Sequence, residues 1–291
     1  MAIETVAIIG AGQMGRGIAT VCAMQGKSVI LVGQNPDHLA TAETSIAEYL
    51  AREVTKDRLK TEQSKKIQQA IIFTEKFDDV APADILIESV SENESSKKSV
   101  LRACQAHLRD DALMASNTSS ISITRLAAVT KKPDQFIGLH FMNPVPKMQL
   151  VEMIRGLQTS DATFEAAQNF IESLDKTVAL SEDFPAFIVN RILIPMINES
   201  ILALYEGVGN VENIDKAIKL GAKHPMGPLE LADYIGLDTV LSILNALHEG
   251  LADQKYRPCP LLNRYVEAGW LGRKTGRGFY DYSSNPPKPT R

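Results

Sequence analysis

Three features that would each define a class of protein are scarce in this sequence. Its 291 residues contain only three cysteines, Cys22, Cys104 and Cys259, an odd number spread along the chain. This excludes a disulfide scaffold and favours a reduced, cytoplasmic setting in which all three are packing residues. The histidines, cysteines and carboxylates do not have the spacing of metal ligands, so we expect no bound metal.

Charge of one sign and long apolar runs are lacking as well. The 31 basic and 35 acidic residues give a net charge of −4 without a block of like charge. We therefore expect no nucleic-acid partner. The stretches between charged residues are shorter than the ~18 apolar residues of a membrane span, and no basic segment precedes the apolar residues 1–33. We expect neither a signal peptide nor a membrane partner, and a chain of this length suits one large domain or two ordinary ones.

The first thirty residues predict a dinucleotide-binding unit. Residues 5–9 and 28–32 are short β-branched and apolar runs, typical of buried parallel strands, with a helical stretch between them. Gly10, Gly12 and Gly15 form a Gly-x-Gly-x-x-Gly motif that provides a tight turn, room for a pyrophosphate and close helix–strand packing. The helix dipole would stabilise the phosphates. A purely structural glycine turn is the alternative. The residues assigned to the dinucleotide are Gly10, Gly12, Gln13, Met14 and Gly15.

The end of the second predicted strand departs from the usual pattern of such units. An acidic residue at this position binds the adenosine ribose and repels a 2′-phosphate, but this chain has Gly33, followed by Gln34 and Asn35. No arginine or lysine replaces the acid to bind a phosphate. We therefore predict NAD as the cofactor, with Gly33 at the ribose site and NADP less strictly excluded than usual.

Further apolar runs and a change in pattern predict two domains. The runs alternate with helical stretches, which predicts a doubly wound α/β sheet of about six or more strands. They lie at residues 71–73, 85–87, 112–115 and 136–139. From Phe184 onward, long helical patterns replace them. The predicted organisation is a Rossmann-type domain at residues 1–183 and an all-helical domain at residues 184–291.

Two helical regions allow alternative interpretations. Residues 36–70 predict two amphipathic helices rich in lysine and arginine, which form either a solvated face or a cationic rim for a phosphate-bearing substrate. Residues 188–204 are nearly all apolar with Pro195 among them, which predicts a bent helix buried on more than one side. The second buried side of this helix would be covered either by a second copy of the chain or by other parts of the same chain. We expect residues 283–291, with three prolines, to be poorly ordered.

Polar side chains cluster after three of the predicted strands. They occupy residues 88–93, 116–120 and 140–144, and ligands of open α/β sheets bind beyond the carboxyl ends of such strands. Twelve residues after His140, Glu152 lies in a strand-like run, where an unpaired carboxylate would be costly. As a pair, the two residues can take a proton from an alcohol as hydride leaves its carbon. A structural, hydrogen-bonded histidine fits the sequence equally well.

The sequence resembles the 3-hydroxyacyl-CoA dehydrogenase family, and most of all its short, single-function members that act on 3-hydroxybutyryl-CoA. The matching segments occur in the family's order from residue 5 to about residue 282 and are jointly specific. They are residues 10–15 (Gly-Ala-Gly-Gln-Met-Gly), 116–120 (Ser-Asn-Thr-Ser-Ser), 140–144 (His-Phe-Met-Asn-Pro), 150–152 (Leu-Val-Glu), 183–191, 223–233 and 271–280.

The resemblance implies an NAD-dependent interconversion of (3S)-3-hydroxyacyl-CoA and 3-ketoacyl-CoA with short acyl chains, within fatty acid metabolism. It makes His140 the general base in alcohol oxidation and Glu152 its orienting partner. Ser119 would hydrogen-bond the 3-oxygen of the substrate, and Asn190 would hold the substrate near its thioester or hydroxyl. A homodimer through the helical domain is implied as well.

Contacts to the cofactor and to CoA carry over in the same way. Glu92 and Lys97 fall where the family contacts the ribose and the nicotinamide end of the cofactor, and Asn117 is placed near the nicotinamide. Lys56 lies in the helical region that meets the CoA phosphates. Gly33 departs from the family's usual acid, which leaves the chemistry intact and weakens the expected preference for NAD over NADP.

Two other functions are compatible with this fold. One is a dehydrogenase of a free hydroxy acid or sugar acid, which differs in substrate alone. The other is a structural or regulatory nucleotide-binding protein, because a fold does not determine a function. The joint presence of Ser119, His140, Glu152 and Asn190 favours an enzyme over the latter.

Overall fold

A computed structural model describes residues 2–290 of the chain. The chain divides into two compact units, the first ending at Phe184 and the second beginning at Pro185. Each unit has a hydrophobic core of its own. The predicted boundary, between residues 183 and 184, lies one residue before this division.

The first unit is built on one sheet. Its strands are β1 (Thr5–Ile9), β2 (Ser28–Val32), β3 (Ile71–Thr74), β4 (Ile85–Glu88), β5 (Leu113–Ser116), β6 (Phe136–Phe141), β7 (Leu150–Arg155) and β8 (Thr177–Glu182). They lie in the order β3-β2-β1-β4-β5-β6-β7-β8. Neighbouring strands are parallel except for the antiparallel pair β6 and β7.

Helices connect these strands and pack their apolar sides against the sheet. They are α1 (Gln13–Met24), α2 (Pro36–Thr55), α3 (Thr61–Gln69), α4 (Glu94–Cys104), α5 (Ile123–Ala127) and α6 (Asp161–Ser173). Asn35, Asn93 and Ser160 cap α2, α4 and α6 by accepting hydrogen bonds from backbone N–H groups of the first turn. The predicted doubly wound, Rossmann-type sheet is confirmed.

One strand of the sheet was not predicted. In β8 (Thr-Val-Ala-Leu-Ser-Glu), only three consecutive residues are apolar, and the strand lies at the edge of the sheet, where β7 is its one neighbour within the described chain. Of its six residues, Ser181 is buried and the other five are partly or fully exposed. A continuous apolar run indicates a strand that is buried on both faces. A prediction based on such runs therefore misses a partly exposed edge strand.

The order of the strands places the ligand crevice. The chain leaves β1 for β2 and β3 on one side, and then returns to β4 on the other side. A ligand of such a sheet binds beyond the carboxyl ends of the strands at this switch in direction. The glycine motif follows β1. The predicted polar clusters begin with the last residues of β4, β5 and β6, so that Glu88, Ser116 and His140 lie inside the strands and not after them.

The second unit is helical. Its helices are α7 (Val189–Tyr205), α8 (Val211–Gly221), α9 (Pro228–Ile235), α10 (Leu237–Leu251) and α11 (Pro260–Glu267). Pro195 lies inside α7, as predicted, and Ile194, Ile197 and Ile201 of this helix are fully buried. The predicted all-helical character of this part of the fold is confirmed.

The prediction of a poorly ordered tail is wrong for residues 283–290. Strand β9 (Tyr280–Asp281) pairs with β10 (Lys288–Pro289) in a short antiparallel ladder. The backbone N–H of Thr290 donates to the Phe279 carbonyl (2.9 Å), and its hydroxyl donates to the Gly278 carbonyl (2.7 Å). These bonds hold the tail in place although its composition is rich in proline. Arg291 lies outside the described residues.

Two buried aspartates hold the segment before this tail against the helices. Asp233 accepts hydrogen bonds from the backbone N–H groups of Phe279 and Tyr280 (both 2.9 Å) and from the Tyr282 hydroxyl (3.1 Å). Asp215 accepts from the Tyr280 hydroxyl at 2.7 Å. Burial raises the pKa of the Asp233 carboxyl to about 6, against the opposing effect of these hydrogen bonds.

This shift predicts a pH dependence of stability. A carboxyl whose pKa rises from 3.8 to about 6 on folding stabilises the folded state most at low pH, and that contribution is lost as the pH rises between the two values. The loss approaches about 3 kcal/mol at ~1.36 kcal/mol per pKa unit. We therefore expect Asp233→Asn to be more destabilised relative to the unmutated chain at pH 4.5 than at pH 7. Urea unfolding followed by the fluorescence of Trp270, the single tryptophan, measures this difference; a difference that grows with pH would contradict the assignment.

Candidate active site

The glycine motif forms the turn between β1 and α1. Gly10 has a φ of +116°, a conformation that favours glycine, and a Cβ there would collide with the Ser89 carbonyl. A Cβ on Gly15 would collide with the Gly10 carbonyl, so this position keeps the helix close to the strand. Both glycines are therefore required by the fold itself.

Gly12 differs from the other two glycines of the motif. Within the described chain, a Cβ built on Gly12 meets no heavy atom within 4 Å, and its φ of −70° suits any residue. The absence of a side chain thus opens a space in front of the first turn of α1. Backbone N–H groups at a helix N-terminus bind anions, and the first turn of α1 holds no acidic residue. The residues present fit the pyrophosphate of a dinucleotide.

Because Gly12 and Gly15 have different surroundings, replacing each by alanine should have a different effect. We expect Gly12→Ala to keep the thermal midpoint but to raise the dissociation constant of NADH by about tenfold or more, because the methyl group occupies the pyrophosphate space. Gly15→Ala should instead lower the thermal midpoint, because the new methyl group displaces the turn. NADH fluorescence titration and differential scanning calorimetry measure the two effects. Normal NADH affinity in Gly12→Ala would contradict the placement of the pyrophosphate.

Gly33 ends β2 under a tight packing constraint. A Cβ there would lie 2.7 Å from Cδ2 of Leu39, a buried side chain of α2, and 3.3 Å from the Cβ of Ala11. An acidic side chain at this position would require Leu39 to move. The Leu39 side chain thus occupies the space that a side chain at position 33 would need, a contact that the sequence alone did not reveal.

His140 and Glu152 are brought together by the sheet. They face each other as a cross-strand pair of β6 and the antiparallel β7, and their side chains are nearly or fully buried. His140 Nδ1 lies 2.7 Å from Oε2 of Glu152. Because a carboxylate can only accept, Nδ1 carries the proton of this bond in the neutral ring, and Nε2 is then the basic nitrogen of the imidazole.

Ser119 lies in the loop after β5, and Glu92 organises this loop. Oε1 of Glu92 accepts from the Thr118 hydroxyl (2.6 Å), from the backbone N–H groups of Ser119 (2.9 Å) and Ser120 (3.1 Å), and from both serine hydroxyls (3.1 Å). Partial burial raises the pKa of the Glu92 carboxyl, but the ammonium of Lys97 and these hydrogen bonds outweigh it, so the pKa lies below its usual value.

Lys97 and Asn117, both predicted to contact the cofactor, are buried and engaged within the protein. Lys97 Nζ donates to both carboxylate oxygens of Glu88, at 2.9 and 3.1 Å, and lies 3.3 Å from Oε2 of Glu92. Asn117 donates to the Ser89 hydroxyl and accepts from the Phe141 backbone N–H. Asn117 thereby ties the ends of β4, β5 and β6 together.

The remaining predicted residues lie elsewhere in the two units. Lys56 is an exposed residue at the C-terminal end of α2. The segment that follows it, with Arg58 and Lys60, lines a cavity of about 560 Å³, and Lys56 itself is not one of the lining residues. Asn190 is the second residue of α7 in the second unit. Gln13 begins α1, and its side-chain amide donates to the Asn143 carbonyl oxygen at 3.0 Å.

Three residues of this region were not assigned roles from the sequence. Glu88 is a fully buried carboxylate at the end of β4, and Asn143 contacts the glycine turn through Gln13. Asp183 accepts from the Ser122 hydroxyl and from two backbone N–H groups at the start of α5. The available signal for Glu88 was a carboxylate that directly follows an apolar strand.

Two searches of the described chain concern metals and membranes. Among residues 2–290, no group of three or more histidine, cysteine, aspartate or glutamate side chains is arranged to hold a metal ion. None of the helices in that part of the chain combines the length and apolar character needed to cross a membrane.

Comparison with known proteins gives consistent matches along the chain. The family model for the NAD binding domain of 3-hydroxyacyl-CoA dehydrogenase matches residues 5–184, and that for the C-terminal domain matches residues 187–282. The chain is 61% identical to a 3-hydroxybutyryl-CoA dehydrogenase of Bradyrhizobium diazoefficiens over 99% of both chains. It is 40% identical to the human mitochondrial hydroxyacyl-coenzyme A dehydrogenase, over 96% of this chain and 91% of that one.

A solved structure agrees with these relatives. The crystal structure of (S)-3-hydroxybutyryl-CoA dehydrogenase from Ralstonia eutropha is similar to this chain with a TM-score of 0.94 and 46% identity. The match covers 97% of this chain and all of the other. Both sequence and fold are therefore shared along nearly the whole length.

Proposed function

The chain belongs to the 3-hydroxyacyl-CoA dehydrogenase family and is an NAD-dependent dehydrogenase, and on this premise we propose that it interconverts (3S)-3-hydroxybutyryl-CoA and acetoacetyl-CoA with His140 and Glu152 as its acid–base pair. The observation that carries the catalytic assignment is the buried 2.7 Å contact between His140 Nδ1 and Glu152. The preference for a C4 substrate is supported by relatives with that name at up to 61% identity.

In alcohol oxidation, His140 Nε2 takes the proton of the 3-hydroxyl. The chemistry that bound NAD would supply is acceptance of the hydride from C3, which together with loss of the hydroxyl proton would leave a ketone at C3. Glu152 stabilises the positive charge that the imidazole gains and keeps the ring in one orientation. In the reverse direction, the imidazolium returns the proton to the 3-oxygen.

Ser119 and Asn190 complete the proposed substrate contacts. When substrate is bound, the hydroxyl of Ser119 turns from Glu92 Oε1 to donate to the 3-oxygen, where negative charge develops during ketone reduction, while the backbone N–H of Ser119 stays bonded to Glu92. A donor held close to that point favours the transition state. Asn190 holds the substrate near its thioester or hydroxyl. Gly10, Gly12, Gln13, Met14 and Gly15 hold the cofactor phosphates. Gly33, Glu92 and Asn117 form the walls nearer the two riboses and the nicotinamide. Lys97 has no exposed surface, so its role there is to support Glu92 from behind and not to touch the cofactor.

We also propose roles for the two parts of the chain. Residues 1–183 bind the cofactor, and residues 184–291 bind substrate and join two copies of the chain. Support for a homodimer comes from large apolar side chains of the second unit that are at least two-thirds exposed, namely Ile192, Val208 and Leu220. Lys56 is proposed to meet the CoA phosphates. A cytoplasmic location is supported by the three cysteines, which are unpaired and buried.

The test is oxidation of NADH, followed at saturating cofactor, with acetoacetyl-CoA, longer 3-ketoacyl-CoAs up to C10, and free acetoacetate. We expect the highest kcat/KM with acetoacetyl-CoA and little turnover of the free acid. Faster turnover of the free acid would instead support a hydroxy-acid dehydrogenase. Repeating the series with NADPH measures the cofactor preference, and we expect NADH to be preferred.

A further inference from the structure

A chain of charged side chains runs behind the Ser119 loop. Glu88 and Lys97 are both completely inaccessible to solvent, and Glu92 retains one-third of its side-chain exposure. Glu88 ends β4, Glu92 lies in the loop between β4 and α4, and Lys97 lies in the first turn of α4. Glu88 belongs to none of the contacts that the proposed function uses.

Each carboxylate oxygen of Glu88 accepts two hydrogen bonds. Oε1 accepts from Lys97 Nζ (2.9 Å) and the Val90 backbone N–H (2.7 Å). Oε2 accepts from Lys97 Nζ (3.1 Å) and the Ser116 hydroxyl (2.5 Å). Ser116 is the cross-strand partner of Glu88 and ends β5, directly before the loop that carries Ser119. Lys97 Nζ also donates to the Val90 carbonyl, so its ammonium is held in a single position.

This fixed ammonium sets the position of Glu92. Lys97 Nζ lies 3.3 Å from Oε2 of Glu92, and the other oxygen of Glu92 accepts all five hydrogen bonds from residues 118–120. Oε1 of Glu92 is therefore the acceptor that all three residues share, and the Thr118 hydroxyl in turn accepts from the backbone N–H groups of Ser120 (3.3 Å) and Ile121 (3.0 Å). Without the ammonium, that carboxylate would be free to turn on its side chain.

Stability alone does not explain a buried ion pair of this kind. Removing two charges from water is costly, and apolar residues of similar volume are often as stabilising or more so. What such a pair does provide is a definite geometry. We propose that Glu88 is a positioning residue of the dehydrogenase: through Lys97 and Glu92, it fixes the Ser119 loop in the arrangement that receives the 3-oxygen of the substrate.

This inference rests on the proposed function only for its kinetic readout, so the first measurement is independent of activity. In Glu88→Gln, the amide cannot hold the ammonium as the carboxylate does. We expect hydrogen exchange of the Ser119 and Ser120 amides, measured by mass spectrometry on peptides covering residues 117–122, to be at least about tenfold faster than in the unmutated chain. The control is Thr163→Val, which removes another buried hydrogen bond (Thr163 hydroxyl to Asp134 carbonyl, 2.8 Å), between the first turn of α6 and the residues just before β6.

The kinetic measurement uses acetoacetyl-CoA and NADH. We expect kcat and kcat/KM of Glu88→Gln to fall together by about tenfold, less than the ~10²–10³-fold loss from removing such a donor outright. Combining Glu88→Gln with Ser119→Ala should cost little beyond Ser119→Ala alone, because both changes act on one hydroxyl. Thr163→Val should keep kcat at any comparable loss of thermal stability.

Each outcome distinguishes this inference from the function on which it rests. If Glu88→Gln fails to fold, the double variant Glu88→Leu/Lys97→Met removes both buried charges and should show the same faster exchange. Unchanged exchange at Ser119 and Ser120 would overturn the positioning role whatever the activity. Full kcat in a folded variant, or losses additive with Ser119→Ala, would also overturn it. A lack of turnover in the unmutated chain would count against the proposed function alone.

Discussion

Replacing His140 by alanine should lower kcat by about 10²–10⁴-fold at saturating NADH and acetoacetyl-CoA. The imidazole is the only group of the proposed pair that exchanges a proton with the 3-oxygen, so its loss leaves proton transfer to water. The decrease corresponds to about 3–5 kcal/mol of transition-state stabilisation. Stopped-flow absorbance of NADH under single-turnover conditions measures it directly, since product release then does not contribute.

A second histidine provides the matched control. His107 also pairs with a carboxylate, with its Nδ1 2.9 Å from Oδ1 of Asp78, but it lies between α4 and the start of β5, away from the crevice. His107→Ala should therefore keep kcat within about twofold. A turnover of His140→Ala that is close to normal, at unchanged NADH affinity, would refute the assignment of the acid–base group.

Replacing Glu152 by glutamine is the second change with a large expected effect. The amide has the shape of the carboxylate but no charge, so it stabilises an imidazolium poorly, and its NH₂ group can point at Nδ1 and reverse the tautomer of the ring. We expect kcat to fall by about 10²–10³-fold with a change of less than about threefold in KM for acetoacetyl-CoA. Initial rates of NADH oxidation across a range of substrate concentrations separate the two parameters.

Because Glu152 is completely buried, its replacement also needs a measurement of folding. Glutamine removes the cost of burying a charge, so the thermal midpoint should stay within a few degrees of that of the unmutated chain. A variant that melts normally and retains full kcat would show that His140 needs no carboxylate partner.

The fold was predictable where burial leaves a pattern in the sequence. The strands β1, β2, β4 and β5 are buried on both faces and therefore appear as continuous apolar runs. At the edge of the sheet, β8 lacks that pattern. The order of the tail depends on hydrogen bonds from the backbone N–H and the hydroxyl of Thr290, which composition does not reveal.

The site was predictable as far as residue identity and strand ends determine it. The sequence placed His140 after a strand and Glu152 in another, but their contact depends on β7 running antiparallel to β6 in one particular register. A shift of one residue would turn Glu152 to the opposite face of the sheet. The burial of Lys97 between Glu88 and Glu92 could not be predicted from the sequence either, because a lysine in a charged helical stretch is usually solvated.

The most direct test of the central claim is a double-mutant cycle on the acid–base pair of His140 and Glu152. The account holds that Glu152 acts only through His140, so their effects on catalysis should not add. Single-turnover rates of NADH oxidation with acetoacetyl-CoA would be measured for His140→Ala, Glu152→Gln and the double variant. We predict that the double variant is as slow as His140→Ala alone, within about threefold. A double variant that is slower by the product of the two single losses would contradict the claim that Glu152 acts through His140.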